Sequence, residues 1–402
     1  MSAIESNISI RLLQLFIGGT AANLTKPFFA ALLATGIGAS SSGIALSLAA
    51  ALAVVAGLYG GGQSDTLSRK TVMLWGESMR ILGGSLMFLG FLHADRLYYL
   101  AAFGFAFHAI GSSYGRSAGD ALLFDSLNEL NRKFVMQAHN WIWNLTVLLG
   151  YLLGGIFLEG REAPFFFFLF LVSIFDFALI KLFIKDRRQP RKFTRSDWSL
   201  KAIPISLLRE DRTFRIYLLG STCQLVVEVG MLSVLAVYCV TMGVTISVAG
   251  YGFYGLKAFG ILIFFNALVI LAGTPLYSPI SKFISNRIEI SCGLTLMLGG
   301  FGGLLIVNDG IWIAGFVMLF SLGEIVFKPS RNLLLYHIAP EKNRGAYVAL
   351  NGMAYRVATM IGPLLLIAFG IVGPLFTAVL AMLLILISLS LFVSVFHKVS
   401  LQ

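Results

Sequence analysis

Between Phe165 and Ile184 the chain is apolar over about 20 residues, the length an α-helix needs to cross a hydrocarbon core about 30 Å thick. Stretches of this kind recur along the sequence. They do not alternate apolar with polar residues, as barrel strands of ~10 residues would. A helix also satisfies its backbone polar groups within the segment, which lipid requires. Of 402 residues, 57% are hydrophobic and only 12% charged, about half the charged share of a soluble domain. Disorder, coiled coil and disulfide scaffold are excluded together, and an all-α integral membrane protein is expected. The first apolar run, near Ile10, has no small-residue cleavage site and contains Asn23 and Lys26, so it reads as a retained helix. Cys223, Cys239 and Cys292 are scattered through apolar surroundings, which predicts free thiols and no metal site.

Twelve spans are predicted, near 10–33, 42–61, 72–92, 97–119, 135–158, 165–184, 214–240, 247–271, 289–307, 311–335, 346–369 and 373–396. Arginine and lysine concentrate after the even-numbered spans: Arg69 and Lys70, Arg132 and Lys133, Lys282 and Arg287, Lys342 and Arg344. The loops after odd-numbered spans hold Arg96 and Arg161 only, so both termini are expected in the cytoplasm. The segment from Lys185 to Arg215 carries ten basic and four acidic residues. It reads as an inside-facing linker, 185–213, between an N-terminal six-helix bundle (1–184) and a C-terminal one (214–402). Its charge serves topology and anionic lipids rather than nucleic acid.

The halves repeat weakly. Residues 61–70 align with 278–287 at an offset of 217; Asn131-Arg-Lys and Gly150-Tyr-Leu-Leu align with Asn343-Arg-Gly and Gly362-Pro-Leu-Leu at 212. Repeated six-helix halves make a transporter architecture, with the substrate held near mid-membrane. Gly61-x-x-x-Asp65-x-x-x-Arg69-Lys70, between spans two and three, resembles the signature loop of the major facilitator superfamily. Arg116, with Gly119 after it, resembles that superfamily's span-four arginine motif. Gly150 through Gly154-Gly155 partly resembles the span-five motif of its antiporters. Two departures stand out: Ser68 occupies a usual glycine position, and span five lacks the antiporter proline. The resemblance implies the superfamily fold, two six-helix bundles related by a pseudo-two-fold axis. It also implies that Gly61, Asp65, Arg69, Lys70, Arg116 and Asp120 serve a gate in which Arg69 or Lys70 pairs with Asp120 or Asp125.

Charges inside spans cost at least ~2.5–3.5 kcal/mol at the bilayer centre, so each needs a partner, a cavity or a task. Near mid-depth lie Lys26, Asp176, Glu228, Lys257, Glu324 and Arg356, with His108. Glu228, Lys257, Glu324 and Arg356 balance in sign. They form either two buried ion pairs or a proton-responsive network, with Glu228 and Glu324 as proton carriers because spans seven and ten line the superfamily's cavity. Glu324, Lys328 and Arg331 share one face of span ten, with Pro329 able to kink it. Lys26, beside Pro27 and near Asn23, is expected either to meet a substrate carboxylate or phosphate, or to snorkel outward. Asp176 is left without a role. Asn140 and Asn144 on span five, and Tyr355 on span eleven, belong to polar stripes that serve either helix contacts or a cavity wall. With Lys26, Asn23 and His108 they complete the expected substrate set.

No Walker loop, HExxH or GxSxG is present, so neither ATP nor an enzymatic site drives function. The expectation is a monomeric secondary transporter of the bacterial inner membrane, without cofactor and with the proton gradient as its drive. Its cargo is expected to be a small anionic or zwitterionic solute moved by alternating access. The alternatives are a proton-coupled exporter of lipophilic or cationic drugs, an uncoupled facilitator and a lipid-moving protein.

Overall fold

Lipid offers little hydrophobic drive for helix association, so close backbone packing and buried polar contacts must hold such a chain together. In a computed structural model the described residues are 3–92, 95–128, 131–185, 206–248 and 250–399. They form six long helices: α1 (Ala3–Ile37), α2 (Ala39–Thr66), α3 (Arg69–Leu92), α4 (Tyr98–Asp125), α5 (Arg132–Phe157) and α6 (Glu162–Phe183). After the short α7 (Ser206–Glu210) come α8 (Arg212–Thr241), strands β1 (Thr245–Val248) and β2 (Tyr251–Tyr254), and α9 (Gly255–Ser281). The chain closes with α10 (Asn286–Leu304), α11 (Gly310–Ile338), α12 (Arg344–Ile361) and α13 (Leu364–Val399). Seven of these, α2, α5, α6, α8, α9, α11 and α13, are long and apolar enough to cross a membrane by composition. α1, α3, α4, α10 and α12 are long but more polar, because they carry interior charges and glycines.

Two compact units form. One comprises Met1–Gly38 and Ala45–Ser199, the other Ala39–Ile44 and Leu200–Gln402. In the first, α3 and α4 are joined by a glycine ladder. A Cβ on Gly76 would lie 2.7 Å from the Gly111 carbonyl, and Gly83 and Gly90 meet His108 and Ala101 one and two heptads on. In the second unit Gly293 and Gly300 seat α10 on α11, against the Gly323 carbonyl and the Phe320 backbone. The offsets are those of the sequence alignment: 76 to 293 and 83 to 300 differ by 217, and 111 to 323 by 212. Helix starts keep them too, with Arg69 and Asn286 217 apart and Arg132 and Arg344 212 apart. Gly76→Val is expected to lower stability by about 1–3 kcal/mol, because backbone rather than a movable side chain occupies the needed space. A thermal melt of the detergent-purified protein checks this.

Large side chains such as Leu52, Phe103, Phe168, Leu276 and Phe376 stand exposed on the outer faces, where lipid would contact them. Charged groups including Arg69, Glu77, Arg80, Asp176, Glu289 and Glu324 are buried inside.

Three predicted elements are corrected. Span eight does not begin at 247. Thr245–Val248 and Tyr251–Tyr254 form an antiparallel pair that matches Thr245 with Tyr254 and Val248 with Tyr251, and Gly250 between them has φ 84°. Its β-branched and aromatic residues read as membrane helix by apolarity alone, yet they favour the pleated strand. The helix instead runs on through Pro275 and Pro279 to Ser281. Span eleven is interrupted after Ile361, at Gly362-Pro363, because proline has no N–H to continue the ladder. The expected break between the last two spans lies at Gly373, with φ 81°, inside α13. Most of the basic linker, residues 186–205, lies outside the described residues. Its entrance is fixed: Asn7 of α1 donates to the Lys185 carbonyl (2.9 Å) and accepts from its N–H (3.0 Å).

Candidate functional site

In the first unit the polar residues form a continuous interior chain. Arg11 of α1 donates to Gln14 (2.8 Å) and pairs with Asp120 of α4 (2.9 Å). Its guanidinium lies against the Cα of Gly119, where any side chain would block it. Gln14 donates to Glu77 of α3 (3.3 Å). Arg80, one turn on, reaches Glu77 through Nη1 at 2.8 and 2.7 Å and Asp176 of α6 at 3.2 Å. Asp176 is fully buried. It therefore faces inward to Arg80 and not toward lipid, which supplies the partner that sequence reasoning lacked. Arg11, Gln14, Glu77 and Arg80 were missed, although Glu77 and Arg80, three residues apart inside an apolar run, carried a readable signal.

Lys26 lies fifteen residues beyond Arg11 on α1, about 22 Å along the axis. Its side chain is exposed, it makes no ion pair among the described residues, and it is within electrostatic range of Arg116 and Arg80. Pro27 leaves the Asn23 carbonyl without its helical donor. Asn23 donates to Thr146 of α5 (3.3 Å), so part of its hydrogen-bonding capacity joins α1 to α5. Arg116 lies over the Trp143 ring, 5.2 Å from its centroid, an arrangement that keeps a guanidinium held and still charged. On α5, Asn140 is exposed and Asn144 half-buried. His108 is not on an open wall: it is buried at the Gly83 crossing of α3 and α4, with Nε2 unpartnered among the described residues.

The expected gate is partly rearranged. Arg69 meets Asp125 (3.4 Å) and Ser64 (2.6 Å), so the Asp125 alternative is the one formed. Asp120 belongs to Arg11. Lys70 donates to the carbonyls of Lys181 (2.7 Å) and Ile184 (2.8 Å). There it caps the C-terminal end of α6, where the helix dipole favours a cation. Gly60, not Gly61, makes the close approach, to the backbone of Tyr114; Gly61 has room beside Ser117. The Asp65 side chain lies outside the described residues.

In the second unit Lys328 of α11 bridges both expected proton carriers, 3.0 Å from Glu228 of α8 and 2.7 Å from Glu324. Gln224 donates to the second oxygen of Glu228 (2.7 Å). Two carboxylates thus share one ammonium, leaving one negative charge in excess. Lys328 precedes Pro329 as Lys26 precedes Pro27. The expected balance with Lys257 and Arg356 is corrected. Lys257 sits exposed in the first turn of α9, a consequence of the hairpin, and Arg356 makes no ion pair among the described residues. Tyr355 is exposed on α12. Glu228 also borders a small, mainly apolar, partly open pocket between α8, α9, α10 and α11, with Asn266 its other polar wall residue.

This arrangement accompanies a family match over most of the chain. A family model described as Major Facilitator Superfamily matches residues 12–363. The chain belongs to the major facilitator superfamily. It is a membrane transporter of that superfamily, not an enzyme. An uncharacterised MFS-type transporter of Bacillus subtilis, YqjV, is 26% identical over 353 residues, covering 86% of this chain and 82% of that protein. A Na(+), Li(+), K(+)/H(+) antiporter of Planococcus maritimus is 20% identical over 378 residues, covering 89% and 88%. Among solved structures, a POT family transporter in complex with 5-aminolevulinic acid superposes with TM-score 0.70 at 17% identity, over 97% of this chain and 95% of that one. The human organic anion transporter MFSD10 superposes with TM-score 0.62 at 17% identity, over 97% and 100%.

Proposed function

We propose that the protein moves a small anionic or zwitterionic organic solute by alternating access, driven by the proton gradient. The carrying observation is Lys26: a lysine inside a span, close to Arg116 and Arg80 and lacking an acid partner among the described residues. Such a cation is costly in lipid unless a cavity and a counter-charge meet it. A substrate carboxylate supplies that charge, with Asn140 and Asn144 of α5, and Asn23 of α1, as neutral hydrogen-bonding groups. The molecule bound in the POT family complex, 5-aminolevulinic acid, has the charge pattern this reading requires.

Glu228 and Glu324 carry the coupled proton. Two carboxylates on one lysine hold a proton readily, and moving Lys328 toward either releases or recaptures it. The twelve spans form two six-helix bundles related by a pseudo-two-fold axis, a reading supported by the shared glycine and helix-start offsets. The protein acts as a monomer in a bacterial inner membrane, with both termini cytoplasmic as the distribution of arginine and lysine favours. Arg69 with Asp125, and Arg11 with Asp120, close the gate at that face.

The test is proteoliposome flux of anionic, zwitterionic and cationic solutes with and without an imposed pH gradient. Gradient-driven flux of an acidic solute, reduced at least tenfold in Glu324→Gln, is expected. Flux with no gradient dependence would overturn the coupling.

A second reading, proton-coupled export of a lipophilic cation, is favoured by one observation, the apolar cavity beside Glu228. Its mark is gradient-driven movement of cations alone, unchanged in Lys26→Ala.

A further inference from the structure

The charges of the first unit do not balance where they are deepest. Arg11 and Asp120 pair and cancel. Arg80 alone then faces both Glu77 and Asp176, leaving one negative charge in excess around a guanidinium that is itself buried. The two acids are not equivalent. Glu77 is held as an anion should be, accepting from Arg80 on both oxygens and from Gln14 as well. Asp176 has one contact, 3.2 Å through Oδ2. Its Oδ1 is buried with no hydrogen-bond partner among the described residues.

An ionised oxygen left bare in such a place costs far more than a neutral one. Among the described residues no second cation is hydrogen-bonded to Asp176. α3 presents Arg80 and Glu77, α1 presents Arg11, which Asp120 already occupies, and Ser173 on α6 itself donates to the Leu169 carbonyl. α1 also closes the site from above. A Cβ at Gly18 would fall 2.8 Å from Asp176 Oδ2 and 3.5 Å from Arg80 Nη1, so the α1 backbone lies directly on the pair.

We propose that Asp176 is a proton-binding site of the N-terminal unit, holding its own proton at neutral pH, separate from the Glu228–Lys328–Glu324 site of the other unit. The proton sits on Oδ1, Glu77 serves as the anion of Arg80, and Gly18 of α1 seals the neutral pair. α1 also carries Lys26, two turns further on.

Infrared spectroscopy of the full chain in lipid nanodiscs, prepared with ¹³C-carboxyl aspartate, tests this. A protonated-acid carbonyl band that shifts with the label is expected at neutral pH and lost as the pH is raised. It should be absent in Asp176→Asn, which is isosteric with the neutral acid and should fold. It should also be lost in Glu77→Gln, where Asp176 becomes the sole anion of Arg80 and gives up its proton. It should persist in Glu324→Gln. The proposal is overturned if labelled wild-type protein shows only ionised aspartate at neutral pH. It is equally overturned if the acid band survives in Asp176→Asn, because the proton then resides on another aspartate.

Discussion

Proteoliposomes carrying Lys26→Gln are expected to take up an acidic solute with KM raised about 10- to 150-fold, while Lys26→Arg stays within a few-fold of wild type. The range is the ~1.5–3 kcal/mol carried by a hydrogen bond to a charged group, converted to affinity. The loss should appear mainly in KM because the ammonium meets the solute's charge throughout the cycle, and uniform binding of that kind leaves the maximal rate largely intact. Snorkelling predicts something different. An ammonium that only reaches toward headgroups can be replaced by glutamine with little effect on uptake. Wild-type KM in Lys26→Gln would therefore transfer Lys26 to the membrane surface and leave Arg116, stacked on Trp143, as the cation for the solute.

The largest effect on stability is expected at Arg80. In Arg80→Met two buried acids lose the one cation that both contact among the described residues, and removing one partner of a buried pair costs about 3–5 kcal/mol. The loss should be strongest at high pH, where the buried Asp176 must ionise with no cation beside it, and smaller at low pH, where it stays neutral. The triple variant Arg80→Met, Glu77→Gln, Asp176→Asn should recover most of the loss, because a polar set without net charge no longer needs the guanidinium. Thermal melts of the purified variants at two pH values read both effects. A single Arg80→Met as stable as wild type at high pH would mean that water reaches the pair and that the first unit is not sealed at mid-depth.

The membrane class, the superfamily loop and most helix positions were legible in the sequence because they depend on local properties. Apolar length marks a span wherever it occurs, and the loop between α2 and α3 is a short contiguous motif. Locality also explains the failure at span eight. Val244 to Tyr254 is as apolar as a membrane helix, but hydropathy cannot distinguish a β-branched hairpin from a helix, and the error carried Lys257 from a helix end into the membrane interior. The glycines at 76 and 83 recur at 293 and 300, the alignment's own offset. They became meaningful only when their backbones were seen touching α4 and α11.

The partners of the charges were decided by tertiary structure alone. Glu228 and Glu324 were identified as acids needing a cation, and Lys328 lay in plain view one turn from Glu324. Whether Glu228 of α8 meets Lys328, Lys257 or Arg356 depends on the rotation of each helix about its axis, which span prediction does not contain. Arg80 and Asp176 are 96 residues apart, and Arg11 and Asp120 are 109 apart. By itself the sequence determined that this chain lies in a membrane as a helical transporter of its superfamily, because hydropathy and contiguous motifs act residue by residue. Only the packed helices decided which acid faces which cation, because inside lipid an ion pair exists where two helix faces meet.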